Sequence, residues 1–540
     1  MPITKARIHF NQSIWMILKK SEKNLILGVI LLGFITRIWD SHILPPGLNQ
    51  DEASIGYEAF SILNFGVDRN GLTYPVFLVS WGSGQNALYA YMIMPFISAL
   101  GLTPFSVRLP MVLMGTITIA AATSYVKTIA GRRASVASAI FLALSPWHIM
   151  MSRWGLEANA LPFVFSLSLA WLSRCFVKNI SCAKVWQLAS GFLFGACMYA
   201  YGTAYFTVPL FLIMTIGIYV FLKRLSFSSA LTILISFLLV SLPISITLLI
   251  GIFRLPTLHL GPISLPAMVS VPRFMALTAP GGTIRPEFLL QNTVNFARLI
   301  WTQRDPTVFN VTPPHGYIYT RFFFLVACAG LLISLIKFAG KRDTARQASL
   351  LIWSGVCLLQ GCLTEPNITR NNLLWLALTI AAGVGTSMLS KKARMIFPLI
   401  VCAYFIHFVM FANDYATRQY QVLRREFADG FLPALSVARQ HAGLSGGICV
   451  TGNLNMPYIY SLFEEQTDPR LFASTVKYEN PGGSFQKVYA FGRFTFDLIR
   501  CAPENAQAVI GLDRELPPGF ASAWPSQQVY RFTVWLRPQP

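Results

Sequence analysis

Two adjacent carboxylates, Asp51 and Glu52, follow closely after the first strongly apolar segment of a chain that is mostly hydrophobic. Carboxylates beside a bilayer are costly, and they are usually retained because they have a function. A carboxylate in such a position can act as a general base and take the proton from a hydroxyl group. Glu58 and Asp68 follow within the same polar segment. We therefore interpret this segment as the centre of a reaction site.

Arginines in loops on the same side of the predicted membrane are candidate partners for a phosphate. Arg108 and Arg370 each stand at the start of an apolar segment, and a guanidinium can contact two phosphate oxygens at once. Snorkelling to lipid headgroups is an equally good explanation for any one of them. Glu157 could orient an acceptor or a metal ion, or could simply pair with Arg153.

The composition excludes an ordinary soluble protein. Hydrophobic residues make up 54% of the chain and charged residues only 12%, about half the charged share of soluble domains. We therefore predict a polytopic α-helical membrane protein. The net charge of +21 comes from short basic clusters between apolar runs, which encode orientation, so we expect no nucleic-acid binding.

Eleven apolar runs are long enough, or nearly so, to cross a bilayer. They cover about 24–44, 108–130, 134–150, 160–177, 185–202, 204–222, 227–252, 318–337, 347–363, 373–390 and 395–411. The first run lacks a cleavage site and is expected to stay as an anchor in the inner (plasma) membrane. Basic clusters between alternate runs predict a cytoplasmic N-terminus: Lys5, Arg7, Lys19, Lys20 and Lys23; Arg132 and Arg133; Arg174, Lys178 and Lys184; Lys223 and Arg224; Lys337, Lys341, Arg342 and Arg346; Lys391, Lys392 and Arg394.

Two long loops are expected on the outer side. The first, residues 40–107, contains an apolar stretch, 87–100, that we place as an interfacial helix, because a crossing there would invert every later basic cluster. The second, residues 253–317, is rich in Pro and Gly, which predicts irregular structure packed against the site. Tyr199, Tyr201 and Tyr205 resemble an aromatic belt more than a sugar-binding platform.

The composition changes after residue 412, so we divide the chain into a membrane domain, 1–412, and an extracytoplasmic α/β domain, 413–540. A helix is expected over about 417–440, followed by strands over 447–451, 487–491, 508–512 and 529–536. Cys449 and Cys501 both fall in this domain. An oxidising compartment permits a disulfide between them, and two buried thiols are nearly as well supported.

Several motifs resemble the opening of GT-C glycosyltransferases, in particular the bacterial relatives of protein O-mannosyltransferases (glycosyltransferase family 39) and of the lipid A aminoarabinose transferase. The resemblance covers residues 30–175 well and later spans in outline. The motifs are Pro45-Pro46-Gly47-Leu48, Asp51-Glu52-Ala53, Gly66-Val67-Asp68-Arg69-Asn70-Gly71, Gly84-Gln85-Asn86-Ala87-Leu88-Tyr89, Phe105-Ser106-Val107-Arg108-Leu109-Pro110 and Ser145-Pro146-Trp147-His148.

The resemblance implies a GT-C fold and an inverting glycosyltransferase (EC 2.4 class) that moves a hexosyl or pentosyl group from a polyprenyl phosphate to an acceptor hydroxyl. It assigns Asp51 and Glu52 as the catalytic pair, with Asp51 as the base and Glu52 as its neighbour or a helper in acceptor binding, and Arg108 and Arg370 as phosphate ligands. Glu157, Arg153, Tyr57 and Gln85 are then expected to bind acceptor or sugar. Gln85-Asn86 replaces a lysine common in those relatives, which suggests a different donor or acceptor. The expected partners are the lipid-linked donor, membrane lipids and a glycan, lipid or protein acceptor; a divalent cation is left open.

Two other classes of function remain as alternatives. A transporter or flippase of lipid-linked glycans would place acidic residues at mid-bilayer and break its helices in matched halves. A non-catalytic envelope-glycan binder would use the 413–540 domain as its working part. The acids here fall at the ends of predicted helices, which favours the enzyme.

Overall fold

The chain forms an α-helical bundle followed by a domain with a mixed β-sheet. The computed structural model describes residues 23–81, 84–176, 184–267, 286–305, 316–340, 346–390, 395–483, 485–513, 515 and 524–538. The basic residues Lys5, Arg7, Lys19, Lys20, Lys178, Lys341, Arg342, Lys391, Lys392 and Arg394 lie outside this described part.

Each predicted apolar run coincides with one or more helices. The bundle contains α1 (23–38), α2 (Gln50–Phe65), α3 (Leu88–Leu100), α4 (Pro104–Ala130), α5 (Arg132–Leu144), α6 (Pro146–Met151), α7 (Glu157–Arg174), α8 (Lys184–Cys197), α9 (Ala204–Phe221), α10 (Phe227–Phe253), α11 (Pro286–Thr302), α12 (Arg321–Gly340), α13 (Ala348–Leu363), α14 (Asn372–Leu389) and α15 (Ile396–Ala416).

The chain is an integral membrane protein. Within the described residues, six helices (α4, α9, α10, α12, α14 and α15) are long and apolar enough to cross a bilayer. Large apolar side chains on α10 and α15, such as Leu239 and Leu399, are exposed on the bundle surface, as expected where lipid replaces water. The polytopic helical prediction is confirmed, whereas the number of eleven crossings remains a prediction.

Helix α14 is the centre of the bundle and is buried along nearly its whole length. It packs against α12 at Gly330, where an added Cβ would lie 2.2 Å from the Ala381 carbonyl oxygen. Small residues that allow backbones to approach this closely are a common means of packing helices in membranes. Because α14 is fixed in this way, the loop that precedes it is held at a defined place at the end of the bundle.

The first loop contains two helices and a short hairpin. Helix α2 begins with a capping box: the Asn49 side chain accepts from the backbone of the first turn, and the Glu52 side chain accepts from the Asn49 N–H. Strands β1 (Phe77–Leu78) and β2 (Gln85–Asn86) pair antiparallel. The helix expected over 87–100 is present as α3 and buries Tyr89, Ala90, Ile93 and Ile97.

The second long loop differs from its prediction. Its described part contains a hairpin, β3 (Leu258–Leu260) with β4 (Ile263–Leu265), and the 17-residue helix α11. The helix was missed because the prolines dominated the interpretation; Pro286 stands at the first position of α11, where a missing N–H costs nothing. The prolines 272 and 280 lie outside the described residues.

The C-terminal domain is an α/β unit, as predicted. Its seven-stranded sheet has the order β10-β11-β9-β5-β8-β7-β6, and β5 is parallel to both neighbours. The elements are α16 (Arg418–Glu426), α17 (Phe431–Ala442), β5 (Gly447–Val450), α18 (Pro457–Glu465), α19 (Pro469–Thr475), β6 (Lys477–Tyr478), β7 (Val488–Phe491), β8 (Phe494–Phe496), β9 (Ala506–Leu512), β10 (Ser526–Val529) and β11 (Phe532–Leu536).

Two boundaries in this domain differ from the sequence prediction. The single helix expected over 417–440 is split into α16 and α17 by a turn in which Gly430 has φ 88°. The strand expected over 529–536 is a hairpin, because Tyr530 turns the chain with φ 54°. A disulfide joins Cys449 and Cys501, whose Cα atoms are 5.9 Å apart.

Candidate active site

Asp51 faces a cavity of about 270 Å³ where the helical bundle meets the C-terminal domain. It stands in the first turn of α2 and is half-buried. Its Oδ1 accepts hydrogen bonds from Trp81 Nε1 (3.2 Å) and Gln85 Nε2 (3.4 Å). These two neutral donors fix the orientation of the carboxylate while it remains in contact with the cavity.

The neighbouring Glu52 points in a different direction and does not line the cavity, because successive residues of a helix are rotated by about 100°. It is fully buried and forms a two-bond ion pair with Arg108, Nε to Oε1 at 2.8 Å and Nη2 to Oε2 at 2.7 Å. Its Oε1 also accepts from the Gly155 N–H (2.8 Å). Glu52 therefore ties α2, α4 and the segment before α7 together.

The structure places Arg108 behind the cavity and not in it. Arg108 is 0% exposed and also donates to the carbonyl oxygens of Pro45 (2.7 Å) and Gly47 (2.9 Å). A phosphate cannot reach this guanidinium without a rearrangement of the loop around it. Arg108 and Glu52 thus join α2, α4 and the first loop behind Asp51, and their expected roles in phosphate binding and catalysis remain predictions.

Arg370 lines the same cavity as Asp51. Its side chain is 18% exposed, and its Nη1 donates to the Glu365 carboxylate (2.7 Å) and carbonyl (3.0 Å). Its Nε and Nη2 make no hydrogen bond to any residue in the described part of the chain. The loop that contains Arg370, just before α14, is anchored at two points. Asp305 accepts from the Ile368 N–H (2.6 Å), and Asn372 donates to Ala158 O (3.0 Å).

Glu157 is the first residue of α7 and is buried against the cavity. The structure thus brings Glu157, Asp51 and Arg370 to one cavity. Arg153 lies elsewhere: it donates to the carbonyl oxygens of Leu44 and Trp39, and its guanidinium lies over the Tyr415 ring at 5.6 Å. Arg153 does not line the cavity, and its expected role in binding acceptor or sugar remains a prediction.

Gln85 and Tyr57 occupy two different surroundings. Gln85 donates to Asp51 and accepts from Ser54 Oγ (3.0 Å), so it orients the Asp51 carboxylate. Tyr57 is fully buried, and its hydroxyl donates to the Thr467 carbonyl (2.7 Å) of the C-terminal domain. Tyr57 does not line the cavity, and its contact instead holds α2 against that domain.

A second buried ion pair lies behind Trp81. Arg69 Nε is 2.5 Å from Glu58 Oε1, and its Nη2 donates to Ser80 Oγ (2.9 Å). The Arg69 guanidinium also lies 5.0 Å from the Trp81 ring centre. Because Trp81 donates to Asp51, this pair fixes the donor that orients the carboxylate.

The neighbouring Asp68 is a buried carboxyl whose pKa is raised to about 7, first by desolvation and then by the charge of Glu58. Because the folded-state pKa lies above the unfolded value, its contribution to stability is present at low pH and is lost as the pH rises toward 7. Asn keeps the Oδ1 acceptor that binds the Asn70 and Leu72 N–H groups. We expect Asp68→Asn to weaken the fall in unfolding temperature between pH 5 and about 8.

The measurement is thermal unfolding of the detergent-solubilised protein across this pH range. Glu287→Gln, on the exposed first turn of α11, is the matched control and should leave the pH dependence unchanged. An Asp68→Asn protein with the same pH dependence as the parent chain would contradict the assignment.

Sequence reasoning missed several residues that line the cavity. Trp81 and Trp154 form part of its wall, together with Tyr201, which was assigned to an aromatic belt. Asn455, Met456 and Phe485 reach it from the C-terminal domain. The signal for Trp154 was its position beside Arg153 and Glu157; the contributions from the C-terminal domain had no signal in the sequence.

No group of three or more His, Cys, Asp or Glu side chains in the described part of the chain could hold a metal ion. The carboxylates of Asp51 and Glu157 both line the cavity.

Comparisons with known proteins give one family-model match over part of the chain and a shared fold. Residues 86–249 match the sequence model of the family described as dolichyl-phosphate-mannose-protein mannosyltransferase. A crystal structure of ArnT from Cupriavidus metallidurans bound to undecaprenyl phosphate superposes with a TM-score of 0.55 at 13% identity, covering 97% of this chain and 99% of that chain. No curated protein sequence matches the chain.

A second solved structure shares the fold. The oligosaccharyltransferase of Archaeoglobus fulgidus, tethered to an acceptor peptide containing an NVT sequon, superposes with a TM-score of 0.52 at 11% identity, covering 92% of this chain and 69% of that chain. At such identities the likeness establishes the fold. The superposition on both proteins extends through the bundle and into the C-terminal domain.

Proposed function

We propose that this chain, a member by fold of the GT-C glycosyltransferase superfamily, transfers a sugar from a polyprenyl-phosphate donor to an acceptor hydroxyl. The observation that carries the proposal is the cavity in which Asp51, Glu157 and Arg370 meet. It combines a carboxylate that can accept a proton with a guanidinium that can bind a phosphate. The ArnT structure, which shares this fold, is bound to undecaprenyl phosphate.

In the proposed reaction, Asp51 accepts the proton of the acceptor hydroxyl. The hydroxyl oxygen attacks the anomeric carbon of the sugar, and the bond from that carbon to the phosphate oxygen breaks. The electron pair leaves with the phosphate, which departs as polyprenyl phosphate. One base and no covalent intermediate are required, so the configuration at the anomeric carbon is inverted. Trp81 and Gln85 hold Asp51 in place for this step.

Arg370 is the proposed ligand of the donor phosphate, because its Nε and Nη2 have no hydrogen-bond partner among the described residues. Arg370→Gln is expected to raise the donor KM by about 10- to 100-fold, since a hydrogen bond to a charged group contributes about 1.5–3 kcal/mol. The measurement is initial rate against donor concentration in purified protein.

Glu365→Gln is the matched control for this variant. It removes the negative charge beside Arg370 Nη1 but keeps an acceptor oxygen, and it leaves the guanidinium in the cavity, so the donor KM should change little. An unchanged donor KM in Arg370→Gln would remove Arg370 from phosphate binding.

The orientation proposed for the chain has its N-terminus in the cytoplasm and its C-terminal domain outside, in the inner (plasma) membrane. The Cys449–Cys501 disulfide supports this placement, because disulfides persist in oxidising compartments. The basic residues Lys127, Lys337 and Arg346 meet at one end of the bundle, as expected for a cytoplasmic face. Asp51 and its cavity then face outward.

The proposed partners are a polyprenyl-phosphate-linked hexose or pentose, membrane lipids and a glycan, lipid or protein acceptor. The test is mass analysis of envelope glycans from a strain lacking the gene: loss of one sugar substituent supports the proposal. An unchanged glycan composition would contradict it. Rates measured before and after chelation of divalent cations decide the cation dependence.

Neither alternative function gains support from the described residues. A transporter would place its acids in the middle of broken helices, whereas Asp51 and Glu157 stand in the first turns of α2 and α7. A protein that only binds glycans would not need a carboxylate whose orientation is fixed by Trp81 and Gln85.

A further inference from the structure

The C-terminal domain contains a second and larger cavity, of about 530 Å³, within the range of pockets that hold multi-ring ligands. It lies beyond the carboxyl ends of β5 and β8, which run parallel; ligands of α/β sheets commonly bind at this edge. We call it the distal groove. Its polar lining includes Asn453, Asn455, Glu479, Lys487, Tyr489 and Arg500.

The distal groove adjoins the cavity of Asp51. Asn455 and Met456 line both. Met456 has φ 50°, in the left-handed region that side chains rarely adopt, and such conformations are retained most often at functional sites. Tyr458 also lines the groove, and its hydroxyl accepts from Arg69 Nη1 (3.3 Å). A molecule lying in the groove would therefore reach toward Asp51.

The lining is polar and its charges balance. The negative charges of Glu479 and Asp497 are balanced by the positive charges of Arg500 and Lys487. Arg500 Nη2 donates to Glu479 Oε1 (3.2 Å), and Arg500 Nε lies 3.4 Å from Asp497 Oδ2. A groove without net charge does not favour an anionic or a cationic ligand. Its carboxylates, amides and ammonium group offer both acceptors and donors.

The aromatic side chains of the lining are Tyr458, Tyr489 and Phe496, and the Arg500 guanidinium lies 4.7 Å from the ring centre of Tyr489. Such a ring presents an apolar face and a polar hydroxyl, as do sugar rings with their C–H faces and hydroxyl edges. An apolar peptide or lipid tail would leave the polar side chains of the groove without partners, which is costly.

We infer that the distal groove binds the acceptor, and that the acceptor is an uncharged glycan chain; this inference rests on the transferase function proposed above. One part of the glycan lies along Tyr489 and Arg500. Its terminal hydroxyl passes the Asn455–Met456 segment and enters the cavity of Asp51. The groove thereby selects the acceptor at a distance from the reacting atoms.

The experiment measures binding of neutral oligosaccharides of glucose, mannose, galactose or N-acetylglucosamine to the full-length protein in lipid nanodiscs by saturation-transfer NMR. At least one should bind the unchanged chain. Tyr489→Ala and Asn455→Ala should each weaken binding by about tenfold. Lys477→Gln, on the exposed edge strand β6 outside the groove, is the control and should bind normally.

Three outcomes would overturn the inference: no neutral oligosaccharide binds, Tyr489→Ala binds as well as the unchanged chain, or only peptides or anionic glycans bind. Cleavage of a lipid-linked donor is measured on the same preparation. Donor cleavage without oligosaccharide binding rejects the groove and keeps the transferase function. Oligosaccharide binding without donor cleavage rejects the transferase function and keeps the groove as a glycan site.

Discussion

Replacing Asp51 with Asn is expected to lower sugar transfer by at least about 10²- to 10⁴-fold, the usual contribution of a general base. Asn has the same size and keeps an oxygen that can accept from Trp81 Nε1 and Gln85 Nε2. It cannot take the proton of the acceptor hydroxyl. The fold and the insertion into the membrane should therefore be retained while the transfer is lost, as judged from envelope glycans of a strain that carries only the variant.

Asp68→Asn is the matched control, because it removes a carboxylate of the same loop that does not line the cavity of Asp51. It should retain normal transfer. Normal transfer by Asp51→Asn, in protein that reaches the membrane in normal amounts, would remove Asp51 from the role of base.

Breaking the buried pair of Glu52 and Arg108 is expected to destabilise the protein strongly. Glu52→Gln leaves the Arg108 guanidinium buried without its counter-charge, and the loss of one member of a buried pair typically costs about 3–5 kcal/mol. The expected result is a large fall in unfolding temperature and in the yield of folded protein, measured by fluorescence-detected gel filtration after heating. Activity should be lost through unfolding, not through a change in KM.

The double variant Glu52→Gln with Arg108→Gln leaves neither charge behind and should recover part of this loss. Glu287→Gln, at an exposed position, should have no effect. An Arg108→Gln protein that is as stable as the parent chain and has a raised donor KM would show that Arg108 binds the donor phosphate after all.

The membrane part was predictable because a bilayer leaves the backbone few choices. Every backbone N–H and C=O in lipid must be paired within the segment, so long apolar runs form helices, and those runs are visible in the sequence. Helix α2 was the exception, because it is short and carries Asp51, Glu52 and Glu58. Polar helices that lie outside the lipid have no such signature.

The sequence predicts only in part that the side chains of Asp51 and Glu52 have different surroundings. Asn49 followed three residues later by Glu52 is a capping-box pattern, and it places the Glu52 side chain against the backbone at the start of α2. That Arg108 would complete this contact depends on the packing of α4 beside α2. The two acids look equivalent in the sequence and become different only when the helix phase is known.

The far wall of the cavity had no signal in the sequence. Asn455, Met456 and Phe485 follow Asp51 by several hundred residues, and they reach the cavity because the C-terminal domain docks on the first loop through Tyr57 and Trp81. Periodicity and local motifs describe single elements. They carry no information on such long-range docking.

The most direct test of the central claim is ³¹P NMR of the purified chain in nanodiscs with lipid-linked sugars extracted from the host membrane. With acceptor present, the phosphodiester signal of the donor should convert to the monoester signal of polyprenyl phosphate, and Asp51→Asn should leave the phosphodiester intact. Equal conversion by both proteins, or no conversion by the unchanged chain, would contradict the account.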